Sequence, residues 1–146
     1  MLKKLFIILI SGLILTSCAG QKNVTGGGSI AAGSQEDLIV NVGDRVFFEF
    51  DSFEITVDGQ STLDAQVAWL KQYSEVDITI EGHADERGTR EYNLALGAKR
   101  ANTVYNYLMD AGVANTRMNT VSFGKERPEV IGSTDSAWSQ NRRSVT

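Results

Sequence analysis

The chain has 146 residues, with 14 lysines and arginines against 18 aspartates and glutamates, and a formal net charge of −4. This length suits one folded domain with short extensions, and the acidic balance argues against nucleic acid or anionic lipid as the main partner. A single cysteine and a single histidine exclude an internal disulfide and a metal site rich in these two residues, so we expect neither a metal nor a cofactor.

The first residues have the pattern of an export signal. Two lysines precede an apolar run over residues 5–15, which is shorter than the roughly 20 residues of a membrane-spanning helix. The run ends in Leu-Thr-Ser-Cys at residues 15–18, which resembles the lipobox of bacterial lipoproteins. We therefore predict a lipoprotein signal peptide over residues 1–17 and lipidation at Cys18. The alternatives are an ordinary secretory signal with a chance cysteine and an uncleaved anchor helix.

The segment after Cys18 predicts a tether. Without residues 1–17, which hold two lysines and no acidic residue, 129 residues with a formal charge of −6 remain. In lipoproteins an aspartate after the cysteine often marks inner-membrane retention, so Ala19 favours the outer membrane, with the domain in the periplasm. Small, polar and Gly-rich residues follow, and we predict a flexible tether over residues 18–42. About 20 such residues span at most about 70 Å.

The folded domain is predicted over residues 43–146. Residues 44–50 are rich in aromatic and β-branched side chains and predict a strand. A helix is predicted after it, with Ser61 or Thr62 as the N-cap. Its buried face is predicted to hold Leu63, Val67 and Leu70. Residues 76–82 alternate apolar and polar side chains, which is typical of a half-buried strand.

A long second helix is predicted over residues 92–109, with Gly112 at its C-terminal cap. Its buried stripe is predicted to hold Leu94, Ala98, Ala101, Val104, Tyr105 and Leu108. Residues 120–123 and 143–146 predict two further strands. The order β-α-β-α-β-β predicts an α/β sandwich of the α+β kind, in which helices pack on one face of a small mixed β-sheet.

The chemically informative segment is residues 81–93, between the second strand and the long helix. Polar side chains cluster there, and binding sites on such sheets usually lie in loops of this kind. Asn93, Leu96 and Arg100 are three or four residues apart, so they share one helix face. We expect Arg100 to project into the crevice that Asp85 closes from the loop side.

An aspartate and an arginine that face one cavity can bind a ligand with two opposite charges. The carboxylate of Asp85 would take an ammonium group, and the guanidinium of Arg100 would take a carboxylate through two parallel hydrogen bonds. A ligand with both groups on one carbon, which is an amino-acid head, would satisfy both charges at once. The alternative from the residues alone is a structural salt bridge between Asp85 and Arg100.

Four separated motifs follow one another along the folded part of the chain. They are Phe48-Glu49-Phe50-Asp51, the run EGHADERGTREYNLALGAKRANTVYNYL that begins at Glu81, the run SFGKERP over residues 122–128, and Asn141-Arg142-Arg143. In this order and behind a lipobox, they resemble the OmpA C-terminal-like domain family over residues 44–146. Ala84 stands where threonine is frequent in the broader family, and alanine there is usual in its lipoprotein branch.

This resemblance implies an outer-membrane lipoprotein that binds peptidoglycan noncovalently through meso-diaminopimelate of the stem peptide. Such a protein tethers the outer membrane to the cell wall. The resemblance also implies periplasmic proteins of the Tol system as partners, in envelope integrity and cell division. The positions that match the ligand-binding residues of the family are Asp85, Arg100, Asn93, Phe50 and Asp51, and further contacts are implied at His83, Leu96 and Arg143.

Two other functions remain as alternatives. A peptidoglycan-cleaving periplasmic enzyme would need a nucleophile beside a base, or a metal cluster, and the sequence has neither pattern. A stator-type anchor of the same superfamily would need a transmembrane helix, which residues 5–15 are too short to form. We therefore predict a binding protein and no catalytic residues.

Overall fold

The computed structural model describes residues 29–146 of the chain. The predicted signal peptide, the lipidation site at Cys18 and much of the predicted tether lie outside these residues. Within residues 29–146, no helix combines the length and the apolar character that a membrane crossing requires.

Four strands form one mixed sheet in the order β1-β4-β2-β3. Strands β2 and β3 are parallel, while β4 lies between β1 and β2 and is antiparallel to both. The parallel pair is joined by a helical crossover, as parallel strands require. The sheet confirms the predicted fold class. The strands are β1 at Arg45–Phe47, β2 at Ile78–His83, β3 at Met118–Gly124 and β4 at Arg143–Val145.

The α-helices of the described part are α1 at Gln35–Asp37, which continues into a π-helical turn at Leu38–Val42, α2 at Val57–Gln72, α3 at Arg90–Asp110 and α4 at Asp135–Asn141. A short 3₁₀ helix at Asn115–Arg117 precedes β3. Helices α2 and α3 contact each other and the sheet, so they lie side by side on one face. The core between these layers is apolar. It contains Leu63, Val67 and Leu70 of α2, as predicted, with Ala101, Val104 and Leu108 of α3, Val46, Ile78, Ile80 and Met118 of the sheet, and Phe48 just after β1.

Helix α2 begins earlier than the sequence predicts. Its N-cap is Thr56, which has extended backbone and whose hydroxyl accepts a hydrogen bond from the Gly59 N–H at 3.1 Å. Ser61 and Thr62 lie inside the helix and donate their hydroxyls to carbonyls one turn back. Glycine normally indicates a helix break, so the sequence pattern around Gly59 does not indicate that the helix has already begun there. It is needed because a β-carbon there would press on the Val46 side chain.

Helix α3 has the predicted C-terminal cap, and its buried face matches the prediction at Ala101, Val104 and Leu108 but not in its first half. Gly112 adopts a φ of 98° and its N–H bonds the carbonyl of Met109, which confirms the cap. Leu94, predicted to be buried, is 44% exposed. Hydrophobic periodicity favours apolar residues as buried, whereas this helix turns a partly polar face inwards. The buried positions are Asn93, Leu96, Gly97, Arg100, Ala101, Val104 and Leu108.

The ordered domain begins before the predicted boundary at Gly43. Residues 35–42, predicted as part of the tether, form helical turns against α2. Leu38 is 2% exposed in the core, and the Asp37 carboxylate accepts a hydrogen bond of 2.9 Å from the indole nitrogen of Trp69. Leu38 begins the apolar run Leu38-Ile39-Val40, but Ile39 and Val40 are exposed, so this segment has neither a strand period nor a helical period that would have placed it in the domain.

Helix α4 is a further element that the sequence prediction omits. Its N-cap is Thr134, whose hydroxyl accepts from the Ala137 N–H at 3.2 Å. The helix has seven residues, of which only Ala137 and Asn141 are buried. So short an element has too few apolar positions for a helical period to be recognised.

Helix α3 packs directly on β2 through two glycines. A β-carbon on Gly82 would overlap the carbonyl oxygen of Gly97, so neither residue tolerates a side chain at this crossing. The close approach holds the first half of α3 against the C-terminal end of β2. Residues 84–89, here called the loop 84–89, connect these two elements and therefore lie beside the helix face that carries Asn93 and Arg100.

Candidate functional site

A cavity of about 200 Å³ opens between the loop 84–89, the first turns of α3 and the segment after β1. The structure brings six of the eight predicted ligand-binding residues to its walls. These are Phe50, Asp51, Asp85, Asn93, Leu96 and Arg100, and the cavity is completed by Arg87, Gly88, Tyr92 and Arg142.

The side chains of His83 and Arg143 lie elsewhere, so the implied ligand contacts at these two positions are corrected. Successive side chains of a strand point to opposite faces. Gly82 faces α3, so His83 points to the other face of the sheet, where its ring stacks on Phe123 and its Nε2 lies 3.2 Å from Glu81. Arg143 is buried on that same face. Both positions are near the site in sequence, but the strand period turns them away.

Asp85 is buried at the base of the cavity and is already ion-paired. Arg87 donates to it from its backbone N–H at 3.0 Å and from its guanidinium at 3.1 and 2.6 Å. The Arg142 guanidinium lies 3.4 Å away. Burial disfavours the ionised carboxyl, but these donors outweigh it and lower the pKa of Asp85. A structural salt bridge therefore exists at Asp85, but its partners are Arg87 and Arg142 instead of Arg100.

Arg100 is fully buried, and its hydrogen bonds go to backbone carbonyls. Its guanidinium donates to Ser52 at 2.8 Å, to His83 at 2.8 Å and to Glu49 at 3.1 Å. Burial and the nearby charge of Arg142 lower the pKa of Arg100 to about 10. Among the described residues, these bonds occupy three of the five guanidinium N–H donors, and no carboxylate forms an ion pair with them. The cavity thus has a buried cation that lacks a direct counter-ion.

Arg87 is held between two aromatic rings at the mouth of the cavity. Its guanidinium carbon lies 4.0 Å from the ring centroid of Phe50 and 4.0 Å from that of Trp138, distances at which cation–π attraction is significant. The Asn93 side-chain amide donates to the Arg87 carbonyl at 2.8 Å. Asn93 therefore fixes the backbone of the loop 84–89 from inside the cavity.

Tyr92 and Asp51 form the rim opposite the loop. The Tyr92 hydroxyl donates to the Asp51 carboxylate, and this bond raises the pKa of Tyr92. Asp51 has a φ of 54°, in the left-handed region that aspartate tolerates better than most residues. Leu96 and the exposed ring of Phe50 supply apolar surface between the charged groups.

Four lining residues are absent from the sequence prediction. Arg87, Gly88 and Tyr92 belong to the polar run of residues 81–93, so the density of that run is the signal that could have found them. Arg142 belongs to the motif Asn141-Arg142-Arg143, from which only Arg143 was predicted as a ligand contact. The Arg142 side chain reaches Asp85 because β4 lies between β1 and β2 in the sheet, which the sequence order does not indicate.

The arrangement suits recognition of a doubly charged ligand. The Asp85 carboxylate and the Arg100 guanidinium line the same cavity without pairing with each other, and the Arg142 guanidinium lies 3.4 Å from Asp85. Within residues 29–146, no group of three or more histidine, cysteine, aspartate and glutamate side chains could hold a metal ion. The single histidine, which an acid–base mechanism would call on first, faces the other side of the sheet.

Comparisons with known proteins identify the family of the chain. The OmpA family model matches residues 47–142 of the chain. A protein of Rhizobium meliloti strain 1021 named peptidoglycan-associated lipoprotein is 53% identical over 148 aligned residues, which cover 96% of this chain and 84% of that protein. A protein of the same name from Pasteurella multocida is 36% identical, with 99% and 96% covered.

Solved structures give the same answer for the fold. The crystal structure of the peptidoglycan-associated lipoprotein from Burkholderia pseudomallei matches with a TM-score of 0.68 and 43% identity, over 70% of this chain and 86% of that one. An OmpA-like domain from Francisella tularensis matches with a TM-score of 0.60 over 68% of this chain and 66% of that one, and its 23% identity supports a shared fold alone. The chain therefore belongs to the OmpA family and, within it, to the peptidoglycan-associated lipoproteins.

Proposed function

We propose that the chain binds peptidoglycan noncovalently, through the free end of meso-diaminopimelate in the stem peptide. That end has an ammonium and a carboxylate on one carbon. The observation that carries the proposal is the buried guanidinium of Arg100, which lies in one cavity with Asp85 and pairs with no carboxylate of residues 29–146. The ligand carboxylate would bind Arg100 and Arg142, and the ligand ammonium would bind Asp85.

The energetics favour such a ligand. A buried cation without a counter-ion is costly, and burial already lowers the pKa of Arg100 to about 10. A bound carboxylate supplies the missing charge through charge-assisted hydrogen bonds, which are about twice as strong as neutral ones. At Asp85 the ligand ammonium joins or replaces Arg87, which reaches the carboxylate from the cavity mouth.

The size of the cavity points to one amino-acid terminus. Its volume of about 200 Å³ is below the roughly 300–1,000 Å³ of sites that enclose drug-sized ligands. The cavity therefore suits the end of one side chain, with the remaining stem peptide and the glycan strand outside. The names of the relatives, which associate those proteins with peptidoglycan, support the same ligand class.

The tether role extends this proposal to the N-terminal part of the chain. We assign residues 1–17 to a lipoprotein signal peptide and Cys18 to lipidation in the outer membrane, on the lipobox pattern, on Ala19 and on the naming of the relatives as lipoproteins. The 17 residues from Cys18 to Ser34 span at most about 55 Å when extended. The N-terminal turns pack at Trp69 and lie beside Asp77 and Ile78 at the start of β2, so the chain enters the domain at the end opposite the cavity, which lies after the end of β2.

The partner proteins belong to the same proposal. The domain would act with periplasmic proteins of the Tol system in envelope integrity and cell division, as the family resemblance implies. Copurification of those proteins with the full chain would test this part separately from the ligand.

The direct experiment is cosedimentation of the detergent-solubilised full chain with purified sacculi. The proposal predicts binding that free meso-diaminopimelic acid competes away. Sedimentation that the free amino acid leaves unchanged would contradict the assignment of the ligand. Release of soluble muropeptides from the sacculi would instead indicate a peptidoglycan-cleaving enzyme.

A further inference from the structure

The loop 84–89 is held from its outer side by a lysine that does not line the cavity. Lys125 follows β3, and its ammonium donates to the carbonyl of Gly88 at 2.7 Å and to that of Glu86 at 3.2 Å. These carbonyls flank Arg87, whose guanidinium pairs with Asp85. One side chain from another element therefore fixes the backbone on both sides of Arg87.

A second contact comes from helix α4. The Trp138 indole nitrogen donates to the Glu86 carboxylate at 2.9 Å, and the Trp138 ring lies 4.0 Å from the Arg87 guanidinium carbon. Trp138 is likewise outside the cavity lining. Asn93 holds the same loop from the inner side, through the Arg87 carbonyl. The loop is thus braced on its inner and outer sides.

We propose that Lys125 and Trp138 are positioning residues of the binding site, which act through the loop 84–89 and do not touch the ligand. This inference rests on the proposed function. An amino-acid head has its two charges on one carbon, so Asp85 must stay at a fixed separation from Arg100. A displacement of about 1 Å in such a site costs much of its affinity. The two braces maintain the separation because they fix the loop to β3 and α4.

The lysine is tested by three variants of the full chain in the sacculus assay. Lys125→Met removes both hydrogen bonds and is expected to weaken binding about fivefold or more. Lys125→Arg retains a cationic donor and is expected to restore most of the binding. Lys71→Met is the matched control, since it removes the same charge from the exposed end of α2 near Gly112 and is expected to bind normally. An equal loss of binding in the control would indicate a general effect of charge on binding and would overturn the proposal.

The tryptophan is tested by two variants that separate its contacts. Trp138→Phe keeps the ring beside Arg87 and removes the bond to Glu86, whereas Trp138→Leu removes both contacts. Binding is expected to fall in the order wild type, phenylalanine, leucine. Ligand-induced change in tryptophan emission is expected to vanish in both variants, although Trp69 remains. Binding of the leucine variant at the wild-type level would overturn the role of Trp138.

Hydrogen exchange supplies a readout that does not depend on the ligand. In Lys125→Met, amides of the loop 84–89 are expected to exchange faster while the global unfolding midpoint stays within a few degrees. Unchanged loop exchange would overturn the bracing role. If the wild-type chain fails to bind sacculi, the proposed function is overturned and this inference with it. If the wild type binds and Lys125→Met binds equally well, the positioning role alone is overturned.

Discussion

Asp85→Asn is the substitution that separates recognition from folding most cleanly. Asparagine has nearly the same shape and retains one oxygen that can accept the Arg87 N–H, so the turn at the loop 84–89 should persist. The variant removes the charge that would bind the ligand ammonium. A hydrogen bond to a charged group contributes about 1.5–3 kcal/mol, and the new amide group faces the ammonium with donors. A loss of about 2–4 kcal/mol follows, which is about 30-fold to 1,000-fold in affinity.

The assay pairs sacculus cosedimentation with thermal unfolding of the same preparations. Loss of the ion pair with Arg87 and Arg142 is expected to cost about 1–2 kcal/mol of stability, since Arg87 is partly solvent-exposed. Asp77→Asn is the control, because Asp77 is exposed before the start of β2 and carries the same charge. Removal of a negative charge from the protein should by itself favour binding to an anionic polymer such as peptidoglycan. A loss of sacculus binding in Asp85→Asn therefore cannot be a general charge effect. Folded Asp85→Asn that binds sacculi at the wild-type level would refute the reasoning.

Three further predictions concern the fold that holds the site. Arg100→Met leaves three backbone carbonyls without their donor and is expected to cost about 2–5 kcal/mol in denaturant unfolding; an unchanged midpoint would contradict it. Burial and Arg143 lower the pKa of His83 against the opposing contact with Glu81, so the unfolded state binds this proton more readily. The free energy of unfolding should therefore decrease as the pH falls below 6.5, by at most about 1.4 kcal/mol per pH unit. The variant His83→Gln should show a flatter dependence of this free energy on pH between about pH 5 and 7. Leu38→Ala is expected to lower the free energy of unfolding by about 2–4 kcal/mol. Unchanged stability would contradict the assignment of residues 35–42 to the folded domain.

The layered fold could be predicted because its main elements have clear periods. The apolar face of α2 and the alternation of β2 are local patterns that burial confirms at Leu63 and Ile80. The ends of the helices were harder to predict, because the capping residue and the residues that composition favours at a helix end can point to different positions. The start of α2 was missed because glycine is unfavourable inside a helix, whereas Gly59 lies in the first turn of α2, where its packing against β1 leaves no room for a side chain.

The site was only partly predictable, for two physical reasons. Asn93 and Arg100 share a helix face, so spacing alone could place them together. The strand period, by contrast, sends His83 to the far face although it is two residues from Asp85. Arg142 enters the cavity through the strand order of the sheet, and its side chain bonds the Phe48 carbonyl from a distant part of the chain. Such contacts depend on tertiary topology, which no local pattern specifies.

Isothermal titration of the full chain with two stem tetrapeptides tests the central claim most directly. The peptides differ only at the third residue, which is meso-diaminopimelate in one and lysine in the other. Both present an ammonium, but only the first adds a carboxylate on the same carbon for Arg100. Loss of that group should cost about 2–4 kcal/mol, so the diaminopimelate peptide is expected to bind about 30-fold to 1,000-fold more tightly. Equal affinity for the two peptides would contradict a site built from Asp85 and Arg100.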